Sequence, residues 1–265
     1  MKLVTLVENK TDKKNIKTKH GLAIYVEACN KKILFDLGPD DTLFKNAKKQ
    51  GINIKDVDIV VISHGHYDHA GSLEKFLNIN KKAKVYIQRS AFEKHYFRAF
   101  GLDISIGINS ELKLHPQIVL LNGDYKIDDN LELFIVNNIE KCKSPSNNAM
   151  YTDQGRDDFK HEQNLVIKEN KTVLLMGCGH AGVVNIMERA KEYNVDYCIG
   201  GYHLIKHVGT KKPSEELFEE IVRELKKYPN ARYYTCHCTG DEAFEYMSSR
   251  MSNMKYLSCG DILEI

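Results

Sequence analysis

Four metal-ligating side chains fall within six positions of this chain: His64, His66, Asp68 and His69, in the stretch "SHGHYDH" that directly follows a β-branched run. Residues two apart in an extended segment point the same way, so His64 and His66 can share one ion. Asp68 and His69 stand where a following helix would begin, turned away, and can serve a second ion. Imidazoles with a carboxylate suit zinc, iron or manganese better than calcium or magnesium. Gly65 allows an unusual backbone angle in a crowded loop. The plainer alternative is a polar loop with Asp68 as a helix cap, against which the concentration of ligand types speaks.

Such a cluster needs elements to hold it. Segments 2–7, 22–28 and 32–36 read as strands, with "CNKK" as a hairpin turn, and 41–50 reads as a helix. "VDIVVIS" (57–63) is a buried strand that delivers the cluster at its C-terminal end. A helix over 71–79 and a strand over 83–88 follow. From about 90 to 160 the periodicity is poor: 90–101 reads as a short helix, 117–136 as a pair of strands. Residues 137–159 carry turn formers almost throughout, the composition of a lid or binding loop. Regularity returns with a hairpin over 164–177 and helices over 182–193, 214–228 and 241–251. Strands over 195–201 and 231–238 alternate with them, and the chain ends in strand. Ser214 is a plausible N-cap. The alternation predicts sheets covered by helices in a single domain, residues 1–265.

The HxHxDH signature resembles the metallo-β-lactamase superfamily. "ILFDLG" (33–38) is similar to that family's strand ending in Asp-x-Gly, whose carboxylate orients the metal histidines, a role that falls to Asp36. "GCGHAGVVNI" (177–186) resembles one branch, the metal-dependent hydrolases related to a dihydropterin synthase. "HGLAIYVE", "GGYHL" and "CHCTG" look like the same branch, so the resemblance runs from about residue 20 to 240. It implies a four-layer αββα sandwich with two divalent ions, zinc first and manganese or iron as alternatives, at one edge between the sheets. His64, His66 and His180 would hold one ion, and Asp68, His69 and His237 the other.

Commoner members close the site with a bridging aspartate after Thr-Gly; here Gly177 and Cys178 stand in that place. Either Cys178 ligates instead, or it is a buried thiol and His180 reaches the ion; the second is preferred. Cys236 and Cys238 beside His237 lack a second pair to complete a zinc knuckle. The resemblance gives His203 a substrate-facing role, including proton donation, beside a catalytic Asp68. His161 would be a third metal histidine or line the substrate pocket. His20 would reach the mouth of the site or the solvent, and His95, His115 and His207 would be structural or surface residues.

The expected chemistry is hydrolysis of an ester, most plausibly a phosphoester, by a metal-activated water. The alternative is a transferase of the dihydropterin synthase type that releases diphosphate. A metal-dependent redox or sensor protein is a third reading, weakened because no flavodoxin-like segment follows the metal motifs. The net charge of +2 gives no nucleic-acid footprint. No apolar run approaches a membrane span, and seven cysteines without a framework pattern fit reduced thiols. The expectation is a cytoplasmic enzyme with a small phosphorylated substrate, its oligomeric state left open between monomer and homo-oligomer.

Overall fold

The computed structural model describes residues 1–137 and 141–265; residues 138–140, within the loop expected over 137–159, lie outside the described residues. Three antiparallel strands open the chain: β1 (Lys2–Val7), β2 (Ala23–Ala28) and β3 (Lys31–Phe35). Cys29 and Asn30 both have positive φ, 52° and 56°, as a two-residue hairpin turn between β2 and β3 requires. Helix α1 (Thr42–Lys49) then leads to β4 (Ile59–Val61), parallel to β3. Helices α2 (Tyr67–Ala70) and α3 (Leu73–Ile79) lead to β5 (Lys84–Gln88).

A hairpin of β6 (His95–Ala99) and β7 (Leu102–Ser105) leaves this sheet, which β8 (Ile118–Leu121) rejoins beside β5. Strands β9 (Tyr125–Lys126) and β10 (Leu131–Phe134) begin a second sheet. Strands β11 (Met150–Thr152) and β12 (Gly155–Arg156) join the β6–β7 hairpin instead. The second sheet continues with β13 (Asn164–Lys168), β14 (Thr172–Leu175) and, after helix α4 (Val183–Arg189), β15 (Tyr197–Gly200). Helix α5 (Glu215–Leu225) precedes β16 (Arg232–Thr235), and α6 (Asp241–Ser248) precedes β17 (Met254–Tyr256). Strand β18 (Ile262–Glu264) pairs back onto β1. The sheet orders are β18-β1-β2-β3-β4-β5-β8, β17-β16-β15-β14-β13-β10-β9, and a small β12-β11-β6-β7.

Strand alternation builds the layers. Ile24, Phe35 and Val61 of the first sheet meet Leu133, Leu165, Leu175 and Ile199 of the second in a shared core. The opposite face of the first sheet, with Leu34, Val60 and Val85, packs on Leu43, Ala47, Leu73 and Phe76 of its helices. The outer face of the second packs on Val184, Phe218, Ile221 and Met247. The result is the expected αββα sandwich. In α5 the buried Phe218, Ile221, Val222 and Leu225 recur at helical spacing, and Ser214 Oγ accepts from the Leu217 amide at 3.3 Å. Among the described residues no helix is long and apolar enough to cross a membrane.

The 90–160 region departs from expectation. The short helix read over 90–101 is a 3₁₀ turn at Arg89–Phe92 followed by β6. In "HYFRA" the aromatic residues alternate between faces, and β7 and β11 give that ribbon partners, so tertiary pairing outweighs the weak local signal. The stretch 117–136 holds three strands rather than two.

Candidate metal centre

The expected site residues follow the C-terminal ends of parallel strands. Asp36 follows β3, His64 and His66 follow β4, Cys178 and His180 follow β14, His203 follows β15, and His237 follows β16. Asp36, His203 and His237 adopt left-handed backbone angles, φ 60°, 49° and 51°, which cost free energy and concentrate at functional sites. Gly177 lets the "GCGH" turn press on the "HGH" loop: a Cβ there would stand 2.2 Å from Ser63 Oγ.

Four imidazoles have their orientation fixed by an oxygen at Nδ1. His69 Nδ1 lies 2.6 Å from Asp36 Oδ2, and His64 Nδ1 lies 2.8 Å from Ser63 Oγ, which itself donates to Asp36 Oδ2 at 2.7 Å. Because that hydroxyl proton is committed to Asp36, His64 Nδ1 must be the donor to Ser63. His180 Nδ1 lies 3.0 Å from Asn147 Oδ1, whose Nδ2 donates to the His180 carbonyl. Asn9 treats His237 the same way, Oδ1 at 3.0 Å from Nδ1 and Nδ2 donating to the carbonyl. In each ring the assigned proton sits on Nδ1, so Nε2 presents a lone pair.

Those lone pairs converge. His64, His66 and His180 offer one ligand atom each, all within 4.8 Å of one another, and the Nε2 atoms of all three are buried with no hydrogen-bond partner. Asp68, His69, Cys178 and His237 form a second such group. In it His69 Nε2 lies 3.2 Å from His237 Nε2 and 3.1 Å from Cys178 Sγ, and Asp68 Oδ2 lies 3.3 Å from His237 Nε2. Two imidazole nitrogens this close beside a carboxylate need a proton or a cation between them, and this donor set fits a divalent ion. Cys178 also groups with His180 and His203, which places its sulfur between the two clusters. The choice between Cys178 and His180 therefore dissolves: both face the centre.

The electrostatics agree. Burial, with the neighbouring imidazoles second, holds His64, His66 and His180 well below the usual histidine range, so they are neutral. Burial opposes ionisation of Asp68, yet His69 and His237 beside it hold its carboxyl well below the usual range. Burial lowers His69, but Asp36 and Asp68 outweigh it and raise the group. A positive charge is thus favoured where His69, Asp68 and His237 meet.

The family model of the metallo-beta-lactamase superfamily matches residues 17–140. The uncharacterized protein MJ0448 of Methanocaldococcus jannaschii is 26% identical over 267 residues, 99% of this chain and all of that one. The 7,8-dihydropterin-6-methyl-4-(β-D-ribofuranosyl)-aminobenzene-5'-phosphate synthase of the same organism is 26% identical, over 93% of this chain and 90% of the synthase. The crystal structure of Tm1679, a metal-dependent hydrolase of the β-lactamase superfamily, superposes with a TM-score of 0.83 at 26% identity, covering 100% of this chain and 99% of the other. Residues 17–140 thus match the metallo-β-lactamase superfamily, and the whole chain shares the fold of a metal-dependent hydrolase of that superfamily.

The metallo-β-lactamase superfamily that residues 17–140 match implies divalent metal binding, and the two donor groups are where this chain can provide it. Next to them lies a cavity of about 170 Å³ lined by His66, Asp68, Cys178, His180, His203 and His237 on its polar side. Tyr67, Phe97, Ile106 and Met150 form its apolar side, and among the described residues no lysine or arginine lines it. His203 is buried with both ring nitrogens unpartnered, its ring centroid 4.1 Å from that of His180. His20 reaches the mouth, Nε2 3.5 Å from Asp68 Oδ2. His207, expected to be structural or a surface residue, also lines the cavity.

His161 is buried behind the "HGH" loop, where its Nδ1 accepts from the Gly65 amide at 3.0 Å and its Nε2 meets Asp157 Oδ2 at 3.1 Å; with His66, His95 and Asp157 it forms a further group of possible ligand atoms. His95 Nδ1 shares that carboxylate oxygen at 3.0 Å. Both nitrogens of His161 are satisfied, so the ring positions the loop that carries His64 and His66. Sequence reading also missed Glu162, whose carboxylate accepts from the amides of His180 and Ala181 at 2.8 Å each. Burial pushes its carboxyl up to about 7 against the pull of those amides. Glu8, Asn9 and Asn147 were equally silent in sequence. Their partners lie 33 to 229 positions away, beyond any local pattern.

Proposed function

We propose that the protein is a dinuclear metal-dependent hydrolase of small phosphoesters. The observation that carries this reading is the convergence of unpartnered imidazole nitrogens and the Asp68 carboxylate into two adjacent donor groups beside one cavity. His64, His66 and His180 would hold one ion, zinc first among the candidates, and Asp68, His69 and His237 the other, with the Cys178 sulfur grouped with residues of both sets. When bound, two divalent ions supply an activated water and neutralise charge developing on the ester oxygens.

The chain's own residues supply the rest. Asp36 fixes the tautomer of His69 directly and that of His64 through Ser63. Asp68 orients the attacking water by accepting its hydrogen bond. His203, neutral because burial holds it well below the usual range, carries one N–H into the cavity and donates it toward the leaving oxygen. Phe97, Ile106 and Met150 exclude bulk water. Among the described residues no lysine or arginine lines the cavity, so a phosphoryl group would depend on bound cations for charge neutralisation.

The test is turnover of methyl p-nitrophenyl phosphate and p-nitrophenyl phosphate by protein reconstituted with zinc or manganese. Metal-dependent release of p-nitrophenolate, lost in His66→Ala together with the first ion, is the expected result. Full activity without bound metal contradicts the scheme.

The similarity to the dihydropterin synthase supports a second reading, a transferase that releases diphosphate. The cavity of about 170 Å³ is below the roughly 300–1,000 Å³ of typical ligand pockets, which favours a small substrate over two large coupled ones. Diphosphate released only when both synthase substrates are present would select the transferase.

A further inference from the structure

The β12-β11-β6-β7 ribbon has two chemically different faces. Registered pairs in an antiparallel ribbon share a face, and the pairs Phe97↔Ile104, Ala99↔Leu102 and Met150↔Phe97 put these residues together. Phe97, Met150 and Ile106 on that side line the cavity. The other side carries Tyr96, Arg98, Asp103 and Tyr151, tied by an Arg98–Asp103 ion pair and by Arg98 stacked 3.9 Å over the Tyr151 ring. The cavity face therefore continues outward as an apolar stripe, and its outer end is open: Leu102 is 69% and Ile104 52% exposed. The loop bearing His207 and Val208 runs alongside, with the His207 ring 5.6 Å from Phe97 and Val208 58% exposed. Phe100, at the hairpin tip, is 86% exposed.

We propose that this stripe binds an apolar tail of the substrate, an alkyl or aryl group on the ester whose phosphorus lies at the metal centre. The proposal rests on the phosphoester reading above. Three observations select this occupant over a second protein. The stripe is continuous with the cavity, the cavity offers among the described residues no lysine or arginine to a polar extension, and the charged residues of the β6–β7 hairpin, Arg98 and Asp103, lie on the opposite face, while His95 on the cavity side is buried against Asp157. From Ile106 to Leu102 the strand covers about 13 Å, the reach of a chain of roughly ten carbons.

The experiment uses the metal-loaded protein and a homologous series, methyl, butyl and octyl p-nitrophenyl phosphate, with methyl to octyl phosphonate as calorimetric ligands. Each methylene that becomes buried is expected to tighten phosphonate binding about twofold to fourfold, and kcat/KM should rise in parallel. In Leu102→Ser and Ile104→Ser the octyl-to-methyl ratio, taken within each variant so that any loss of folded protein cancels, should fall toward one. Ser105→Ala, on the polar face, should keep the wild-type ratio. A flat series in the wild type, or an unchanged ratio in both serine variants, overturns the proposal. So does a wild-type dimer that Leu102→Ser converts to monomer in sedimentation, because a second copy would then cover the stripe. If no phosphoester is cleaved while phosphonate binding still strengthens with chain length, the hydrolase reading fails and the tail site stands.

Discussion

Replacing Asp36 by asparagine isolates the carboxylate on which the second donor group depends. Asp36 is fully buried and accepts three hydrogen bonds: the Ser63 amide at 2.7 Å, Ser63 Oγ at 2.7 Å and His69 Nδ1 at 2.6 Å. An asparagine amide sets a donor against a donor in either orientation. With nitrogen in the Oδ1 place it faces the Ser63 amide, and in the Oδ2 place it faces Ser63 Oγ and His69. One unpaired buried donor costs about 1–3 kcal/mol, within the roughly 5–15 kcal/mol of a folded domain, and asparagine tolerates the left-handed φ of 60°. The fold therefore survives, which alanine does not guarantee, since it leaves three donors unpaired at a summed cost of about 3–9 kcal/mol. The anion that makes His69 a strong ligand is gone, and such losses lower metal affinity about 10–100-fold, or about 1.4–2.8 kcal/mol. Competition of Asp36→Asn against a chromophoric zinc chelator should show one ion weakened by that factor and the other much less changed. Two ions held with wild-type affinity in folded Asp36→Asn would refute the reasoning.

Three further outcomes follow from the same geometry. Cobalt-loaded wild type should show a thiolate-to-metal charge-transfer band from Cys178, and Cys178→Ser should lose it; a band that persists in the serine variant would remove the sulfur from the centre. His161→Ala orphans the Gly65 amide and should cost about 1–3 kcal/mol, a fall in Tm of several degrees measured on metal-free protein; an unchanged Tm would contradict its positioning role. Burial opposes ionisation of Asp157, but His161 and His95 hold its carboxyl well below the usual range. Its stabilising contribution is thus fully present above the unfolded value near ~3.9 and is lost as pH falls through the lower folded one. The stability gap between wild type and Asp157→Asn should accordingly be constant from pH 7 to about 5 and close in stronger acid, as read by urea unfolding at each pH.

What was legible in sequence was local. His64, His66, Asp68 and His69 lie within one strand end and one helical turn, so their spacing alone announces metal chemistry, and β-branched runs such as "IVV" of β4 announce the buried strands. Asp36 became readable only through the family resemblance, because its bonds to Ser63 and His69 span 27 and 33 positions. Cys178 and His180 read as alternatives in sequence because two residues this close face one centre only when the backbone turns between them, as Gly179 does at φ 65°. The β6–β7 hairpin escaped for a different reason. Its strands are five and four residues long with one face open, too short to outweigh a helix-compatible composition until β11 pairs with β6.

The proposed function requires one ion in each of the two donor groups. An anomalous-diffraction map of zinc-reconstituted crystals tests it most directly. Two peaks per chain are expected, one among His64, His66 and His180 and one among Asp68, His69 and His237, with Cys178 Sγ between them. A map without peaks at these positions, or with its only peak at His95, Asp157 and His161, would contradict it.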